Sequence, residues 1–218
     1  YFTDELYISR NCCPSRSAPH YSTIPVSMNV SIVIPNWNGE ELLREHLPAV
    51  LVAGGNSEVL VIDDASTDET VSMLQANFPK VRIVQKREHE GFASTANTGV
   101  ASATGDIVIL LNSDVEPEKN FLPPLLAHFK DPSVFAVGCM DKSIEGSRMV
   151  LRGRGVGKWQ RGFYVHKRGE VDKPTTDWVS GGSGAFRKSI WLQLGGMDGL
   201  FNPFYWEDID LSYRGLKS

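Results

Sequence analysis

A short apolar run that stops abruptly in polar residues constrains the fold of this chain more than any other feature. The run is Ile107–Leu111, and Asn112, Ser113 and Asp114 follow it directly. Five consecutive apolar residues, three of them β-branched, are typical of a strand buried on both faces of a parallel sheet. Polar side chains at the carboxyl end of such a strand lie where open α/β sheets bind ligands. The stretch therefore predicts a site that holds a hard cation and, through it, a diphosphate.

From residue 29 onward the sequence alternates between strand and helix patterns. Short apolar runs predict strands at Val30–Ile34, Val59–Ile62, Val81–Val84, Ile107–Leu111 and Val134–Cys139. Helical spacing predicts helices that begin near Asn38 and Ser66, and a third over Ala93–Ala103. Asn38 with Glu41, and Ser66 with Glu69, have the spacing of capping boxes. This order predicts an α/β fold with a mostly parallel central sheet flanked by helices.

Two segments do not follow this alternation. Residues 1–28 lack a clear period and contain three prolines, which predicts an irregular N-terminal arm before a single domain over residues 29–218. Residues 141–176 are basic and rich in glycine, again without a helical period. They are expected to form hairpins or a mobile loop that becomes ordered when an acceptor binds.

Composition argues against several classes of protein. The net charge of −4 gives no sequence-wide basic footprint for nucleic acid. No apolar run approaches the ~18 residues that span a bilayer, so membrane association is expected only through parts outside this chain. The three cysteines lack metal-ligand spacing, which indicates reduced thiols and a cytoplasmic protein.

Motifs of other enzyme classes are missing or incomplete. Around Ser183 the hydrolase pattern G-x-S-x-G fails at Ala185, and all five histidines precede Ser183, although the hydrolase order places His after Ser. Neither a dinucleotide-binding G-x-G-x-x-G after a strand nor a P-loop occurs, which disfavours oxidoreductase and P-loop ATPase functions. The small residues around Gly182 are expected instead to let an acceptor approach the backbone.

Further polar residues follow the other predicted strands. Asp64 ends the second strand, where a carboxylate can accept hydrogen bonds from ribose hydroxyls or a base N–H, or can cap the next turn. Pro35 and Trp37 follow the first strand and form a candidate wall beside a planar base, in a turn that Asn38 also caps. Asn97 lies in the third helix, whose amino terminus favours anionic ligands, although Asn97 can equally satisfy backbone groups.

Three carboxylates close to the end of the chain form the last candidate group. Glu207, Asp208 and Asp210 directly follow Trp206. Crowded carboxylates can raise one pKa and create a base near neutral pH. The alternative is an acidic first helical turn that the helix dipole stabilises. The aromatic and glycine-rich run before these residues favours a wall of a ligand site.

Five motifs, in order along the chain, resemble those of the family 2 nucleotide-sugar glycosyltransferases with the GT-A fold. They lie at residues 31–38, 61–68, 91–99 and 112–114, and in an acceptor-side part at residues 195–198 and 206–214. The resemblance runs from about Asn29 to the end and is greatest to the bacterial rhamnosyltransferase-like branch. Asn112 replaces the first acid of the D-x-D motif. Family members usually continue beyond the position of Ser218, so the domain is expected to lack its natural C-terminal tail.

The resemblance implies an inverting transfer of a sugar from a nucleoside-diphosphate sugar to a hydroxyl of a glycan, glycolipid or protein. It implies a role in bacterial surface polysaccharide or glycolipid synthesis, in the cytoplasm at the inner face of the membrane. Asp208 is then the base, Glu207 binds the acceptor or tunes Asp208, and Asp114 holds Mg²⁺ or Mn²⁺. The remaining implied residues are Pro35, Asn38, Asp64, Asn97, Asn112 and Asp114 for the donor nucleotide, and Gly182, Trp206 and Asp210 for the acceptor.

Two other functions remain open at the level of sequence. A nucleotidyltransferase also holds a nucleotide and a metal on a similar sheet, but it normally carries a glycine-rich basic loop after the first strand. Residues 35–39 contain no Lys or Arg. A non-catalytic module that binds nucleotide sugars is the second alternative, because Asn112 replaces an acid and the chain ends at Ser218.

Overall fold

A computed structural model describes residues 6–9, 28–146, 148–171, 173–203 and 205–218, with the backbone alone at 6–9 and 144–145. The strands are β1 Leu6–Ser9, β2 Val30–Asn36, β3 Glu58–Asp63, β4 Arg82–Gln85, β5 Ile107–Leu111, β6 Val134–Gly138, β7 Asp141–Glu145, β8 Arg148–Arg152, β9 Gly155–Gln160, β10 Phe163–Arg168 and β11 Ser183–Arg187. The helices are α1 Glu40–Gly54, α2 Thr70–Asn77, α3 Phe92–Ser102, α4 Leu122–His128, α5 Lys188–Gln193 and α6 Glu207–Lys217, with a 3₁₀ turn at Gly199–Phe201.

Seven strands form one sheet in the order β1-β6-β11-β5-β2-β3-β4. The strands β5, β2, β3 and β4 pair in parallel. A parallel pair needs a crossover connection, which explains why strand and helix patterns alternate in the sequence. β11 lies antiparallel between β5 and β6. The prediction of an α/β fold with a mostly parallel central sheet flanked by helices is confirmed.

The irregular arm expected over residues 1–28 contains a strand. β1 pairs antiparallel with β6, with Leu6 opposite Gly138. β6 is buried along its whole length, so its outer backbone groups need this partner. Four residues are too short a strand for a period to show in the sequence. Residues 1–5 and 10–27 lie outside the described residues, so the rest of that prediction is not addressed.

Helices cover both faces of the large sheet. Alternate residues of β2 enter different cores: Ile32 and Ile34 pack with α1, α2 and α4, whereas Val33 packs with α3, α5 and α6. Gly99 lets α3 lie close to the sheet, because a Cβ at this position would lie 2.3 Å from Val33 Cγ1. In the part of the chain that the structure describes, no helix is long and apolar enough to cross a membrane.

The predicted capping boxes do not form. α1 begins at Glu40 after Gly39, and no side chain caps it. Asn38 has a left-handed φ of 50°, and its Oδ1 accepts hydrogen bonds from the backbone N–H groups of Thr67 and Asp68 at 2.7 and 3.3 Å. The prediction that Asn38 caps α1 is therefore wrong, because its amide ties the loop after β2 to the loop after β3.

The segment 141–176 contains two antiparallel hairpins, β7–β8 and β9–β10, which confirms the expectation of hairpins. Whether this segment becomes ordered when an acceptor binds stays a prediction. β11 has no strand signal in the sequence, since it begins with Ser183, which is small and polar, and Gly184, which has no side chain. A Cβ at Gly184 would lie 2.5 Å from Val179 Cγ1, so packing requires glycine at this position of the strand. The same glycine weakens the strand pattern in the sequence.

Glu58, at the start of β3, joins three segments at the amino ends of the strands. Its carboxylate accepts hydrogen bonds from Ser31 Oγ at 2.5 Å, from the backbone and hydroxyl of Thr104 at 2.8 and 2.7 Å, and from Arg82 at 3.0 Å. Burial raises the pKa of Glu58, but these hydrogen bonds outweigh it and lower the pKa to about 2. The ionised side chain therefore stabilises this edge of the sheet.

We expect Glu58→Gln to destabilise the fold at pH 7 and much less at pH 3. A carboxylate whose pKa is lower when folded contributes stability above its ordinary pKa of 4.5, and this stability is lost as the pH falls toward 2. The free energies of unfolding of wild type and variant, measured in urea, should differ by about 2 kcal/mol at pH 7. An equal difference at both pH values would contradict the role of the ionised carboxylate.

Candidate functional site

The carboxyl ends of β2, β3 and β5 meet at one edge of the sheet. Asn36 ends β2 and is only 4% exposed, yet neither its side-chain oxygen nor its nitrogen has a hydrogen-bond partner among the described residues. A Cβ at Gly39 would lie 2.2 Å from Asn36 Oδ1 and 3.6 Å from Ser113 Oγ, which places Asn36 between two loops. Sequence reasoning missed Asn36. Its signal was a single amide at the end of an otherwise apolar strand.

Asp64 lies at this edge as predicted, but its carboxylate is already occupied. Oδ1 accepts hydrogen bonds from Lys86 Nζ at 2.6 Å and from the N–H of Glu90 at 3.1 Å. Oδ2 accepts from the N–H of Gly91 at 2.8 Å and lies 2.8 Å from His89 Nδ1. Burial raises the pKa of Asp64, and the hydrogen bonds, first from Lys86, bring it below its ordinary value. In this structure Asp64 organises the turn at Lys86–Gly91 and offers no open oxygen to a nucleoside.

An exposed aromatic surface lies above Asp64. Trp37 stacks on His89 with the ring centroids 4.1 Å apart and an angle of 23° between the planes. Both side chains are about half exposed, whereas Pro35, in β2, is buried. A flat, exposed ring of this kind can receive a nucleobase. Trp37 therefore forms the face of the candidate wall, and the role of Pro35 in it stays a prediction.

Asn97 has structural contacts in this fold, and its role in donor binding stays a prediction. Its Oδ1 accepts hydrogen bonds from the N–H of Met197 at 2.9 Å and from Trp191 Nε1 at 3.2 Å, and its Nδ2 donates to the carbonyl of Met197 at 2.8 Å. A Cβ at Gly196 would lie 2.2 Å from Asn97 Oδ1. Asn97 therefore fastens α3 to the segment before α6 through both its amide oxygen and its amide nitrogen.

Asn112 contacts the segment that leads into β11. Its N–H donates to the carbonyl of Gly182 at 2.9 Å. A Cβ at Gly182 would lie 2.7 Å from Asn112 Nδ2, so only glycine lets this amide lie where it does. Asn112 fills the space that the missing side chain of Gly182 leaves, and the acceptor-side role of Gly182 stays a prediction.

Asp114 is exposed on the loop after β5, and a second carboxylate lies near it. Burial raises the pKa of Asp141, and the negative charge of Asp114 adds to this, while a hydrogen bond from Ser183 Oγ at 2.8 Å and the charge of Arg152 oppose it. The residues that the structure describes contain no group of three or more His, Cys, Asp or Glu side chains suited to a metal. A cation at Asp114 would need oxygens from Asn112, a diphosphate and water, which suits Mg²⁺ or Mn²⁺.

Asp208, in the first turn of α6, has the raised pKa that the sequence suggested. Burial is the main cause and the negative charge of Glu207 adds to it, so that the pKa of Asp208 lies at about 6. Its Oδ1 accepts a hydrogen bond from the N–H of Ile209 at 2.7 Å, and its Oδ2 lies 3.4 Å from the N–H of Gly181, a long and weak contact. Burial thus outweighs the helix dipole, which favours the ionised form.

Asp210 has a structural partner on its own helix, and its acceptor-side role stays a prediction. Its Oδ2 accepts hydrogen bonds from Arg214 Nε at 2.7 Å and Nη2 at 2.6 Å. Arg214 also donates to the carbonyls of Leu194 and Gly196 at 2.6 and 2.7 Å. Asp210 therefore holds α6 to the segment 194–196, and this contact helps to position the first turn of the helix.

Trp206 directly precedes α6 and joins an aromatic cluster. Tyr205 and Trp206 have left-handed φ values of 59° and 91°, which bulky residues rarely adopt. Strain of this kind is concentrated at functional sites. The ring of Trp206 lies 4.6 Å from that of His166 and 6.5 Å from that of Tyr164 on β10. The acceptor-side role of Trp206 stays a prediction that its position supports.

Comparison with known proteins gives the family of this chain. A sequence model described as Glycosyl transferase family 2 matches residues 31–192. A dolichol-phosphate mannosyltransferase of Pyrococcus furiosus is 29% identical over 116 residues, which are 51% of this chain and 33% of that protein. A polypeptide N-acetylgalactosaminyltransferase 10 of Mus musculus is 34% identical over 143 residues, which are 58% of this chain and 23% of that protein. The chain therefore spans a third or less of the length of these two relatives.

A solved structure shows the same fold. The mannosyltransferase PcManGT from Pyrobaculum calidifontis, in complex with GDP-Man and Mn²⁺, matches with a TM-score of 0.62 and 22% identity over 87% of this chain and 54% of that one. The likeness confirms the GT-A architecture. These relatives are mannosyl- and N-acetylgalactosaminyltransferases, and they give no support to the rhamnosyltransferase-like branch.

We expect Asp64→Ala to destabilise the fold, because the buried ammonium of Lys86 then loses its buried carboxylate partner and keeps only the exposed carboxylate of Glu90, at 2.8 Å. The side chains of Lys86 and Asp64 are only 8% and 3% exposed. Removing one partner of a buried ion pair costs about 3–5 kcal/mol. Thermal and urea unfolding should show this loss, and Asp64→Ala combined with Lys86→Met should recover a large part of it. Equal stability of wild type and Asp64→Ala would contradict the structural role.

Proposed function

Because the chain belongs to glycosyl transferase family 2, we propose that it transfers a sugar from a nucleoside diphosphate to an acceptor hydroxyl with inversion at the anomeric carbon. Inversion by a single displacement needs the acceptor oxygen to attack opposite the leaving diphosphate. The site must therefore offer a base on one side of the sugar and neutralise negative charge on the other side.

One observation carries this proposal. Two consecutive glycines lie between the candidate base and the candidate diphosphate side. The N–H of Gly181 faces Asp208 Oδ2, and the carbonyl of Gly182 accepts the N–H of Asn112. A Cβ at Gly181 would lie 2.8 Å from Met197 Cε, and a Cβ at Gly182 would lie 2.7 Å from Asn112 Nδ2, so only glycines fit between these side chains. The backbone of two glycines thus joins the candidate base to the candidate diphosphate side.

On the donor side, Asp114 and Asn112 would hold a divalent cation against the diphosphate, with Asp141 close by. When bound, this cation supplies positive charge to the leaving diphosphate. The donor set fits Mg²⁺ or Mn²⁺, since it combines one exposed carboxylate with an amide and leaves places for phosphate oxygens and water. The related mannosyltransferase structure contains Mn²⁺ and GDP-Man, which supports this assignment.

The nucleoside would lie against Trp37 and His89, with Pro35 behind them. Asp64 supports this surface through His89 and the turn at Lys86–Gly91, without contacting the nucleoside in this conformation. We propose a nucleoside-diphosphate hexose as donor, since the named relatives act as mannosyl- and N-acetylgalactosaminyltransferases. A hydroxyl of a glycan, glycolipid or protein is the proposed acceptor.

On the acceptor side, Asp208 would accept the proton of the hydroxyl as its oxygen attacks. A base with a pKa of about 6 is largely ionised at pH 7 yet basic enough to receive this proton. Glu207 keeps that pKa high through its charge. A non-catalytic module is the second candidate, and Asn112 in place of an acid is what favours it. The experiments below distinguish the two.

We expect the transfer rate of the wild type to rise with pH up to about pH 6 and then to level, because Asp208 must be ionised to act as a base. Asp208→Asn keeps the shape of the side chain but removes its basicity. It should retain donor affinity and lose roughly 10²-fold or more in rate. The measurement is product formation with a panel of nucleoside-diphosphate hexoses between pH 5 and 8.

Two further variants sharpen this test. Glu207→Gln removes the charge that raises the pKa of Asp208, so the rise in rate should move to lower pH. Asp106 directly precedes β5 at its amino end, far from the candidate site. Asp106→Asn should therefore leave the transfer rate and its pH profile unchanged. If Asp208→Asn transfers at the wild-type rate, Asp208 is not the base. Calorimetry will show which donors bind. If neither the wild type nor any variant turns over one of these donors, the non-catalytic alternative is correct.

We expect nucleoside diphosphate binding to require a divalent cation held by Asp114. Calorimetry with UDP and GDP should show tighter binding with Mn²⁺ than with EDTA, and Asp114→Ala should remove the difference. Glu116→Gln, which changes an exposed acid two residues further along the same loop, is the matched control. Equal affinity with Mn²⁺ and with EDTA in the wild type would exclude this metal site.

A further inference from the structure

The β9–β10 hairpin has two different faces. Trp159 lies opposite Tyr164, and Lys158 lies opposite Val165, in regular antiparallel register. Opposed residues of two paired strands point to the same side, and neighbours along a strand point to opposite sides. One face therefore carries Trp159 and Tyr164, and the other carries Lys158, Val165 and Phe163.

The face with Trp159 and Tyr164 is the inner face, which packs on Tyr213 of α6, although Trp159 itself is 58% exposed. Trp159 Nε1 donates a hydrogen bond to the hydroxyl of Tyr213 at 3.1 Å. The ring of Tyr164 lies 5.4 Å from that of Tyr213 and 6.5 Å from that of Trp206. These contacts hold the hairpin against the acceptor side of the site and fix the direction of its other face.

The outer face is apolar and basic at once. Phe163 is 74% exposed and Val165 is 43% exposed. Lys158 and Lys167 are exposed on the same face, and Arg161 lies in the turn between the strands. Phe163 and Val165 together form an exposed apolar patch rimmed by basic side chains, and patches of this kind mark interaction sites.

The sequence around the hairpin is strongly polarised in charge. Residues 148–168 contain seven Lys and Arg residues and no Asp or Glu. The whole chain has 22 basic and 26 acidic residues, so the rest of the molecule carries a clear excess of negative charge. The hairpin is therefore a positive patch on a negative body, and it attracts anionic surfaces that the body repels.

We propose that the outer face of the β9–β10 hairpin docks on a bilayer surface that contains anionic lipids. Apolar side chains enter the boundary between headgroups and acyl chains, while Lys and Arg contact the headgroup phosphates. A bilayer offers an apolar environment to the ring of Phe163 and anionic headgroups to the charges of Lys158 and Lys167. This differs from the sequence expectation that membrane association needs parts outside this chain.

The position of the hairpin connects this surface to the acceptor. Its inner face touches Trp206, two residues before Asp208, so a docked hairpin brings the candidate base close to the membrane surface. If the proposed transfer is correct, this arrangement favours an acceptor hydroxyl carried by a lipid. That consequence rests on the proposed function, whereas the docking itself does not.

Vesicle flotation tests the docking without any substrate. The wild-type chain should bind vesicles of phosphatidylcholine with 30% phosphatidylserine at low salt, and bind vesicles of pure phosphatidylcholine far less. Lys158→Glu combined with Lys167→Glu should weaken binding about tenfold or more, and Phe163→Ala several-fold. Matched controls are Lys119→Glu with Lys130→Glu for charge, and Val52→Ala for an exposed apolar residue on α1. Asp208→Asn should bind vesicles as well as the wild type, which separates docking from transfer.

Three results would overturn the proposal. The first is no binding to anionic vesicles. The second is an equal loss in the control variants, which would indicate non-specific attraction. The third is binding to polyglutamate but not to vesicles, which would indicate an acidic protein as the partner. Circular dichroism of each variant excludes unfolding as the cause of a loss.

Discussion

The site depends on the backbone hydrogen bonds of β5. All five residues of this strand are buried, so its N–H and C=O groups need partners on both sides. β2 supplies them on one side, and β11, from far later in the chain, supplies them on the other. The pairing continues one step past the strand, where Asn112 donates to Gly182. The buried backbone of β5 needs hydrogen-bond partners, and this need brings the proposed acceptor-side segment to the end of the proposed donor-side strand.

Two aspartates at this crevice show how environment assigns roles to one side-chain type. Asp64 and Asp208 are both taken out of water, which raises the pKa of each. Asp64 receives hydrogen bonds from an ammonium and two backbone N–H groups, so the ionised form is stable and inert. Asp208 has one close and one long backbone contact and an acidic neighbour, so its proton is held more tightly. Hydrogen-bond donors lower the pKa of Asp64, whereas burial and the charge of Glu207 together raise the pKa of Asp208.

Local sequence patterns identified the parallel strands and the position of the site, because buried strands are apolar throughout and end in polar residues. They did not identify the partners of those polar residues. Asn97 and Gly182 are occupied by groups that lie far away along the chain, and neither side chain shows this in its own neighbourhood. Asp210 has its partner one helical turn later, a spacing that sequence alone cannot distinguish from a solvent-exposed pair. β11 was not predicted because its buried apolar residues, Ala185 and Phe186, follow a small Ser and Gly, and two apolar residues are too few to show a strand pattern.

The insertion of β11 between β5 and β6 also sets an order for the assembly of the chain. When β6 emerges during synthesis, β11, which lies between β6 and β5 in the finished sheet, does not yet exist, and one edge of β5 has no partner. Direct pairing of β5 with β6 would leave no place for β11, and incompletely paired sheets of this kind are typical of folding intermediates. The strand order therefore requires the place beside β5 to stay free until β11, which ends at Arg187, has been made.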